Sequence, residues 1–234
     1  MKIIAIIPAR YGSKRLPGKP LIQINKKPLI QMTYEAVLNS GLFDLIIVTT
    51  DSVKIKNTVQ NFGGECIVTS PQPINGTERC AELIKIIDMK FQPNDLIVNI
   101  QCDEPFIKKI HLKKIIKLFQ TTCQIGTLIS KINNSELSDN SIVKINVKNN
   151  MALNFSRTTQ KLNENYPFYK HIGIYAYQIK TLLKIASLKT TKNEIEESLE
   201  QLRWTDNNYK ISCAMINDNI PSINTQSDLK KIKK

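Results

Sequence analysis

Four cations, Arg10, Lys14, Arg15 and Lys19, crowd one segment after the apolar run Ile3–Ile7, with Pro8, Gly12, Pro17 and Gly18 threaded between them. Backbone N–H groups and clustered cations in one bent segment suit a polyphosphate, whose charge they neutralise. A merely solvated surface loop is the alternative for such a composition. The prolines and glycines, however, fix a path that a solvated loop does not need. Two familiar phosphate signatures are absent. The chain has no G-x-x-x-x-G-K-[ST] and no G-x-G-x-x-G, so neither a P-loop nor a dinucleotide fold is indicated.

Such a loop needs a rigid edge to stand on. Ile3–Ile7 is an apolar strand bounded by Pro8, and Pro28–Ser40 has helical periodicity that stops at Gly41. Leu45–Val48 is a second strand, running into Thr49-Thr50-Asp51. Val53–Phe62 is a helix closed by Gly63-Gly64, and Cys66–Val68 is a third strand. Thr77–Met89 is helical, and Leu96–Ile100 is a fourth strand that ends in Gln101-Cys102-Asp103-Glu104-Pro105. Continuous apolar strands separated by helices predict an α/β fold with a mainly parallel, mixed sheet flanked by helices on both faces. Ligands of such sheets bind outside the carboxyl ends of the strands. The basic loop, Asp51 and Asp103 all fall at that edge. From about Thr127 the pattern changes: Ile142–Val147 and His171–Tyr177 are predicted strands, separated by a polar stretch from Ser156 to Tyr169. Glu194–Trp204 is a helix and Ile211–Met215 the last strand. No repeat or long linker divides the chain, so 1–234 reads as a single domain.

With 234 residues and 41% hydrophobic content, the chain can bury one substantial core. No apolar run approaches the ~20 residues needed to cross a bilayer, and the N-terminal run meets charge where a signal peptide would have its cleavage site. A cytoplasmic location is expected. Five scattered cysteines without a C-x-x-C pair argue against both a disulfide framework and a zinc site, and two histidines exclude a histidine-rich metal site. The net charge of +13 admits nucleic acid, an anionic membrane or acidic small substrates as partners. The lysines are spread along the chain, from Lys108-Lys109 to Lys117 and Lys230–Lys234, with no aromatic interleaving. Neither a nucleic-acid nor a membrane partner is therefore expected.

Pro8–Leu21, P-A-R-Y-G-S-K-R-L-P-G-K-P-L, resembles the nucleotide-binding loop of bacterial 3-deoxy-manno-octulosonate (Kdo) cytidylyltransferases. The resemblance continues in order along nearly the whole chain: N-G-T-E-R at Asn75–Arg79, Q-C-D-E-P at Gln101–Pro105, F-S-R at Phe155–Arg157, H-I-G-I-Y-A-Y at His171–Tyr177 and L-E-Q-L-R at Leu199–Arg203. It implies a nucleotide-diphospho-sugar transferase-like fold, with a nucleotide-binding half at about 1–125 and a sugar-binding and dimer-contact half at about 126–234. It also implies a homodimer and a two-metal nucleotidyl transfer. The anomeric 2-hydroxyl of Kdo would attack the α-phosphate of CTP, giving pyrophosphate and CMP-Kdo, which serves lipopolysaccharide biosynthesis.

The resemblance carries roles onto single residues. Arg10 and Lys19 would meet the triphosphate, as cations suit it, and with Asp103 would be catalytic. Pro8, Ala9, Ser13, Gly76, Thr77 and Arg79 would complete the nucleotide side, with Arg79 and backbone groups reading the pyrimidine. Lys14 and Arg15 are as readily solvated as phosphate-bound. The sugar acid would lie over Gln101, Arg157, His171, Tyr175, Glu200 and Gln201, an arginine offering a forked donor. Asp103 would hold Mg²⁺, which prefers hard oxygen ligands, with Asn224 as a weak second ligand. Each has a plainer alternative: Asp103 as the N-cap of the helix after Pro105, Thr77 as a mere helix cap, His171 as a structural strand residue.

The chain also departs from the family pattern. Asn224, in Ile223-Asn224-Thr225-Gln226, stands where the family has the aspartate of V-D-T-P; Cys102 replaces a glycine, and Gln160 and Lys192 replace common prolines. Asp218 or Asp228 could take the metal position through a shifted loop. The functional alternatives are CMP transfer to another acid sugar such as 8-amino-Kdo, and a catalytically weakened nucleotide-binding homologue.

Overall fold

A computed structural model describes residues 1–13, 16–87 and 89–232, so Lys14 and Arg15 lie outside the described residues. In β1 (Ile3–Ala9), side chains leave on alternate sides: Ala5, Ile7 and Ala9 enter one buried cluster, Ile4 and Ile6 another. Burial on both faces is why the run shows no polar alternation. A hairpin of β2 (Gln23–Ile24) and β3 (Lys27–Pro28) follows, its turn formed by Asn25 and Lys26 at φ 50° and 66°. Two consecutive positive φ values give the primed turn that matches strand twist. Then come α1 (Leu29–Leu38), β4 (Leu45–Thr50), α2 (Val53–Asn61), β5 (Cys66–Val68), α3 (Gly76–Ile86) and β6 (Leu96–Ile100). β4 and β6 flank β1 in parallel, and β5 lies parallel beyond β4.

The second half comprises α4 (Lys109–Lys117), β7 (Ile125–Lys131), α5 (Asn134–Leu137), β8 (Lys144–Lys148), β9 (Met151–Ser156) and β10 (Phe168–Gln178). It ends with α6 (Ile179–Ala186), α7 (Lys192–Glu197), α8 (Glu200–Asp206), β11 (Ile211–Ile216) and α9 (Gln226–Ile232). All the longer strands join one sheet, ordered β5-β4-β1-β6-β10-β7-β11-β9-β8. Helices cover both faces. Ile30, Val37, Ile55, Val59, Leu112 and Ile115 bring α1, α2 and α4 onto one face, and Cys80, Leu83, Leu182, Ile185, Leu202 and Trp204 bring α3, α6 and α8 onto the other.

The sheet is mixed, as expected: the parallel run β5-β4-β1-β6 is followed by antiparallel pairings, with one further parallel pair, β7 with β11. β10 runs antiparallel to both β6 and β7, while β8 and β9 pair antiparallel. β7, β9 and α6 were not legible as elements. β10 starts at Phe168, inside the stretch read as a polar connection. The single helix expected over Glu194–Trp204 is two, because Ser198 takes a left-handed φ of 53° and breaks it.

A third, smaller cluster joins Leu16 of the basic segment, Ile24 of the hairpin and Leu29 of α1 to Ile223 and Leu229 of the C-terminal segment. It seats the start and end of the chain together beside the carboxyl end of the parallel strands. That contact decides where the functional groups meet.

Candidate active site

A cavity of about 750 Å³ opens at that end of the sheet, lined at one side by Pro8, Arg10, Gly76, Arg79 and Asp103. Arg10 follows directly on the end of β1, and its guanidinium donates to the Ile74 carbonyl at 3.3 Å. Lys19 enters from the short 3-10 turn Lys19–Leu21 and its Nζ meets Asp103 Oδ2 at 2.6 Å. Asp51, at the end of β4, accepts from the Tyr11 N–H at 3.0 Å and so anchors the basic segment. Of the other residues read into this end, Ala9 is packed in the core. Ser13 is taken up in a turn, its hydroxyl accepting from Leu16 N–H at 3.4 Å.

The N-G-T-E-R segment begins α3. Asn75, not Thr77, is the cap: its Oδ1 accepts from Glu78 N–H at 2.8 Å. Gly76 lets Gln101 and Pro8 approach, since a Cβ there would stand 2.5 Å from Gln101 Nε2 and 3.2 Å from Pro8 Cγ and would displace the glutamine amide. Gln101 is pinned there by donating to Asn99 Oδ1 at 3.1 Å. Arg79 is buried and turned inward. Its Nη1 donates to Thr69 Oγ1 and the Ser70 carbonyl at 2.7 and 3.1 Å, and its Nη2 meets Asp51 at 3.3 Å. Its terminal nitrogens thus brace the end of β5, α3 and Asp51.

Asp103 is not a helix cap, because α4 begins only at Lys109, where Lys108 and His111 form the cap. The Ile223 N–H donates to the Asp103 carbonyl at 3.0 Å, which lays Asn224 alongside. The Asn224 side chain makes no hydrogen bond among the described residues and lines the cavity. Asp218 does not reach this place, as it pairs with Lys108 at 2.7 Å and His111 at 3.2 Å. Asp228 lines the cavity, but its Oδ2 accepts from Asn224 N–H, Thr225 N–H and the Thr225 hydroxyl at 3.0, 2.8 and 2.9 Å. Asp103 and Asn224 thus line the same part of the cavity, and a carboxylate and an amide oxygen are hard ligands of the kind a divalent cation takes.

The opposite wall is built by β10 and the α7–α8 break. Against β7, the register of β10 shifts between Ile172 and Tyr175. Such a bulge re-aims side chains, and His171, Gly173 and Tyr175 line the cavity here. Phe155 meets the His171 ring edge-on at 5.4 Å, and Tyr175 packs between it and Trp204 at 5.3 and 4.8 Å. Burial holds the His171 imidazole down to about 3, so it is neutral at ordinary pH. Arg157 is anchored through its Nε to the Glu197 carbonyl at 3.2 Å. Glu200 and Gln201 reach the wall because α8 restarts after Ser198. Arg203 holds that joint with a forked pair to Glu194 at 2.6 Å and a further bond to Glu78 of α3 at 2.9 Å. Glu200 accepts from the Thr77 N–H at 3.5 Å, and burial pushes its carboxyl up to about 7. Gln201 is buried, yet its amide has no partner among the described residues.

Several wall residues had no sequence signal. Lys170 is buried and donates to Glu136 Oε1 and Asn219 Oδ1, each at 2.9 Å. Glu104 is buried beside Asp103, with Oε1 accepting from the Ser222 hydroxyl at 2.6 Å. Burial and the neighbouring charge of Asp103 push its carboxyl up to about 8. A lysine before H-I-G and a glutamate after an aspartate both read as ordinary surface charges; only the tertiary fold buries them.

The cytidylyltransferase family model matches residues 4–211. A 3-deoxy-manno-octulosonate cytidylyltransferase of Parabacteroides distasonis is 41% identical, over 99% of this chain and 96% of its own length. An 8-amino-3,8-dideoxy-manno-octulosonate cytidylyltransferase of a Shewanella species is 40% identical, over 99% and 97%. Among solved structures, CMP:2-keto-3-deoxy-manno-octonic acid synthetase complexed with CTP superposes with a TM-score of 0.89. It is 33% identical and covers 100% of this chain and 97% of its own. In sequence over nearly its whole length and in fold, the chain belongs to the cytidylyltransferase family.

Proposed function

We propose that this chain transfers CMP from CTP to 3-deoxy-D-manno-octulosonate. The anomeric 2-hydroxyl oxygen bonds to the α-phosphorus, the bond to pyrophosphate breaks, and the hydroxyl proton is released. The observation that carries this reading is one continuous cavity with Arg10 and Asp103 at one end and Arg157, His171, Tyr175 and Gln201 at the other. Its two ends differ in chemistry as a triphosphate and a polyhydroxy acid do. The likeness to a synthetase complexed with CTP supports the nucleotide assignment.

In this reading Arg10 and Lys19 neutralise triphosphate charge, and Gln101, Arg157, His171, Tyr175, Glu200 and Gln201 orient the sugar acid. Asp103 and the Asn224 amide would hold Mg²⁺, which neutralises phosphate charge when bound. Among the described residues no group of three or more His, Cys, Asp or Glu side chains is placed to hold a metal ion. Phosphate oxygens of the substrate and water would supply the other ligands. Among those residues, too, no helix is long and apolar enough to cross a membrane. We place the enzyme in the cytoplasm as a homodimer, supplying activated Kdo for lipopolysaccharide. The test is pyrophosphate release with CTP, a divalent metal, and either Kdo or 8-amino-Kdo. Release should require all three components. Equal release with ATP or UTP, or without an acid sugar, would count against the assignment; preference for 8-amino-Kdo would move the substrate and keep the reaction.

A further inference from the structure

The bulge in β10 brings three groups together whose hydrogens can be counted. Thr127 Oγ1, fully buried on β7, lies 3.0 Å from His171 Nε2 and 2.9 Å from the Ile174 carbonyl oxygen, with the Ile172 carbonyl farther off at 3.5 Å as a second acceptor that likewise can supply no hydrogen. A threonine hydroxyl carries one hydrogen. If that hydrogen pointed to the imidazole, two oxygens would face each other at 2.9 Å with none between them, a repulsive contact in a buried strand. Given instead to Ile174, it leaves the hydroxyl oxygen free to accept, and the imidazole must supply the second hydrogen. Both contacts are then satisfied.

From this we infer that Thr127 is a positioning residue that locks His171 as the neutral Nε2–H tautomer, leaving Nδ1 as an acceptor for a sugar hydroxyl. His171 lines the cavity, and Nδ1 has no hydrogen-bond partner among the described residues. An unprotonated Nδ1 takes a hydrogen from a hydroxyl and repels a carboxylate. The acid group of the sugar then falls to cations of the wall such as Arg157 or Lys170. Other groups facing the ring leave this unchanged: Phe155 and Tyr175 pack on it, and the backbone N–H of His171 is taken up by the Val143 carbonyl at 3.0 Å. The substrate half of the inference rests on the function proposed above; the tautomer does not.

The chain holds two histidines, which makes the test clean. His111 accepts at Nδ1 from the Lys108 N–H at 3.2 Å, with Nε2 on Asp218, so it is an internal reference of the same tautomer. Nitrogen-15 spectra of histidine-labelled protein should show both rings as Nε2–H at neutral pH. Thr127→Val should shift the His171 signals alone and raise the KM for the acid sugar about three- to tenfold, with the KM for CTP within about twofold. Thr127→Ser should restore both. An Nδ1–H or protonated His171 in the native protein overturns the inference even if the valine variant fails to fold. A folded valine variant with native spectra, or with equal losses for both substrates, overturns it as well. Native protein that is inert with CTP and every acid sugar would instead sink the proposed function and the substrate half together, while the spectra still decide the tautomer.

Discussion

The two ends of the cavity are built by opposite means. At the nucleotide end, groups sit on loops that leave parallel strands, and opposite charges meet across them: Lys19 with Asp103 at 2.6 Å, Arg79 with Asp51 at 3.3 Å. At the sugar end, the groups stand on a bulged antiparallel strand and a broken helix. His171, Tyr175 and Arg157 there meet aromatic rings, a hydroxyl and a carbonyl, while the ion pairs of that wall, Lys170 with Glu136 and Arg203 with Glu194, stand behind them as supports. The first design tolerates a mobile polyanion, because charge acts over several ångströms and needs little angular precision. The second reads hydroxyls, for which direction matters. Breaking one end should therefore leave the other's substrate requirement largely intact.

The largest effect should come from Asp103→Asn. It removes the one carboxylate of the candidate metal pair and leaves Lys19 facing an amide. Loss of kcat by about 100-fold or more is expected, since even indirect metal partners are worth about 10–100-fold. Gln201→Leu, at the opposite end, should raise the KM for the acid sugar about tenfold, from one lost hydrogen bond in a buried setting, and leave CTP use unchanged. Steady-state kinetics with each substrate varied separates the two. Equal losses for both substrates in both variants would end the division into nucleotide and sugar ends.

Arg79 sharpens the comparison from within the nucleotide end. Its guanidinium is turned into the protein, so Arg79→Met should act on the fold and not on base choice. Removing one partner of a buried pair costs about 3 kcal/mol, or roughly 6–12 °C in melting temperature for a chain of this size. The CTP-over-UTP preference should survive in the folded fraction. A stable variant that accepts UTP would return Arg79 to the base-reading role that the sequence alone suggested.

Legibility followed the same division. β5 and β6 could be read to the residue because their apolar runs are bounded by breakers, and β6 is buried along its whole length. Asp103 could be read because a strand end fixes where it points. β7 could not, because Gly126, Thr127 and Ser130 interrupt its apolar run; Thr127 is there to serve His171, and function overrode pattern. The break at Ser198 has no local signature, as serine rarely takes a left-handed φ. Lys170 is buried only by partners 34 and 49 positions away, a distance that no window of sequence spans.

Glu200 gives a smaller, pH-dependent effect at the sugar end. Burial raises its carboxyl from 4.5 to about 7. Between those values the unfolded chain is ionised while the folded one keeps its proton. The stability this group contributes is complete below pH 4.5 and is lost as pH rises through about 7. At about 1.4 kcal/mol per unit, reduced by water in the cavity, the loss should be about 1–2 kcal/mol. Urea midpoints measured from pH 4.5 to 7.5 should fall less steeply in Glu200→Gln than in the native protein. Parallel curves would mean that cavity water already solvates the carboxylate.

The smallest effect is a gain, and it tests how the nucleotide end works with one carboxylate. Asn224 lies beside Asp103 because Ile223 N–H is bonded to the Asp103 carbonyl at 3.0 Å, so Asn224→Asp puts a second anion at a position already built. An amide oxygen neutralises nothing, whereas a carboxylate both ligates Mg²⁺ and offsets its charge. The new charge also meets a cost, since Asp228 caps the same turn through the Asn224 and Thr225 N–H groups at 3.0 and 2.8 Å. Two anions in one turn repel, and the metal-free protein should melt slightly lower. With metal the balance reverses, because a bound cation neutralises the pair. The half-saturating Mg²⁺ concentration should drop severalfold, less than the ~10–100-fold that a lost metal partner typically costs because the repulsion from Asp228 opposes it, and Mn²⁺ binding followed by electron paramagnetic resonance should tighten in step. Unchanged Mn²⁺ binding in Asn224→Asp, with binding lost in Asp228→Asn, would move the second ligand from Asn224 to Asp228.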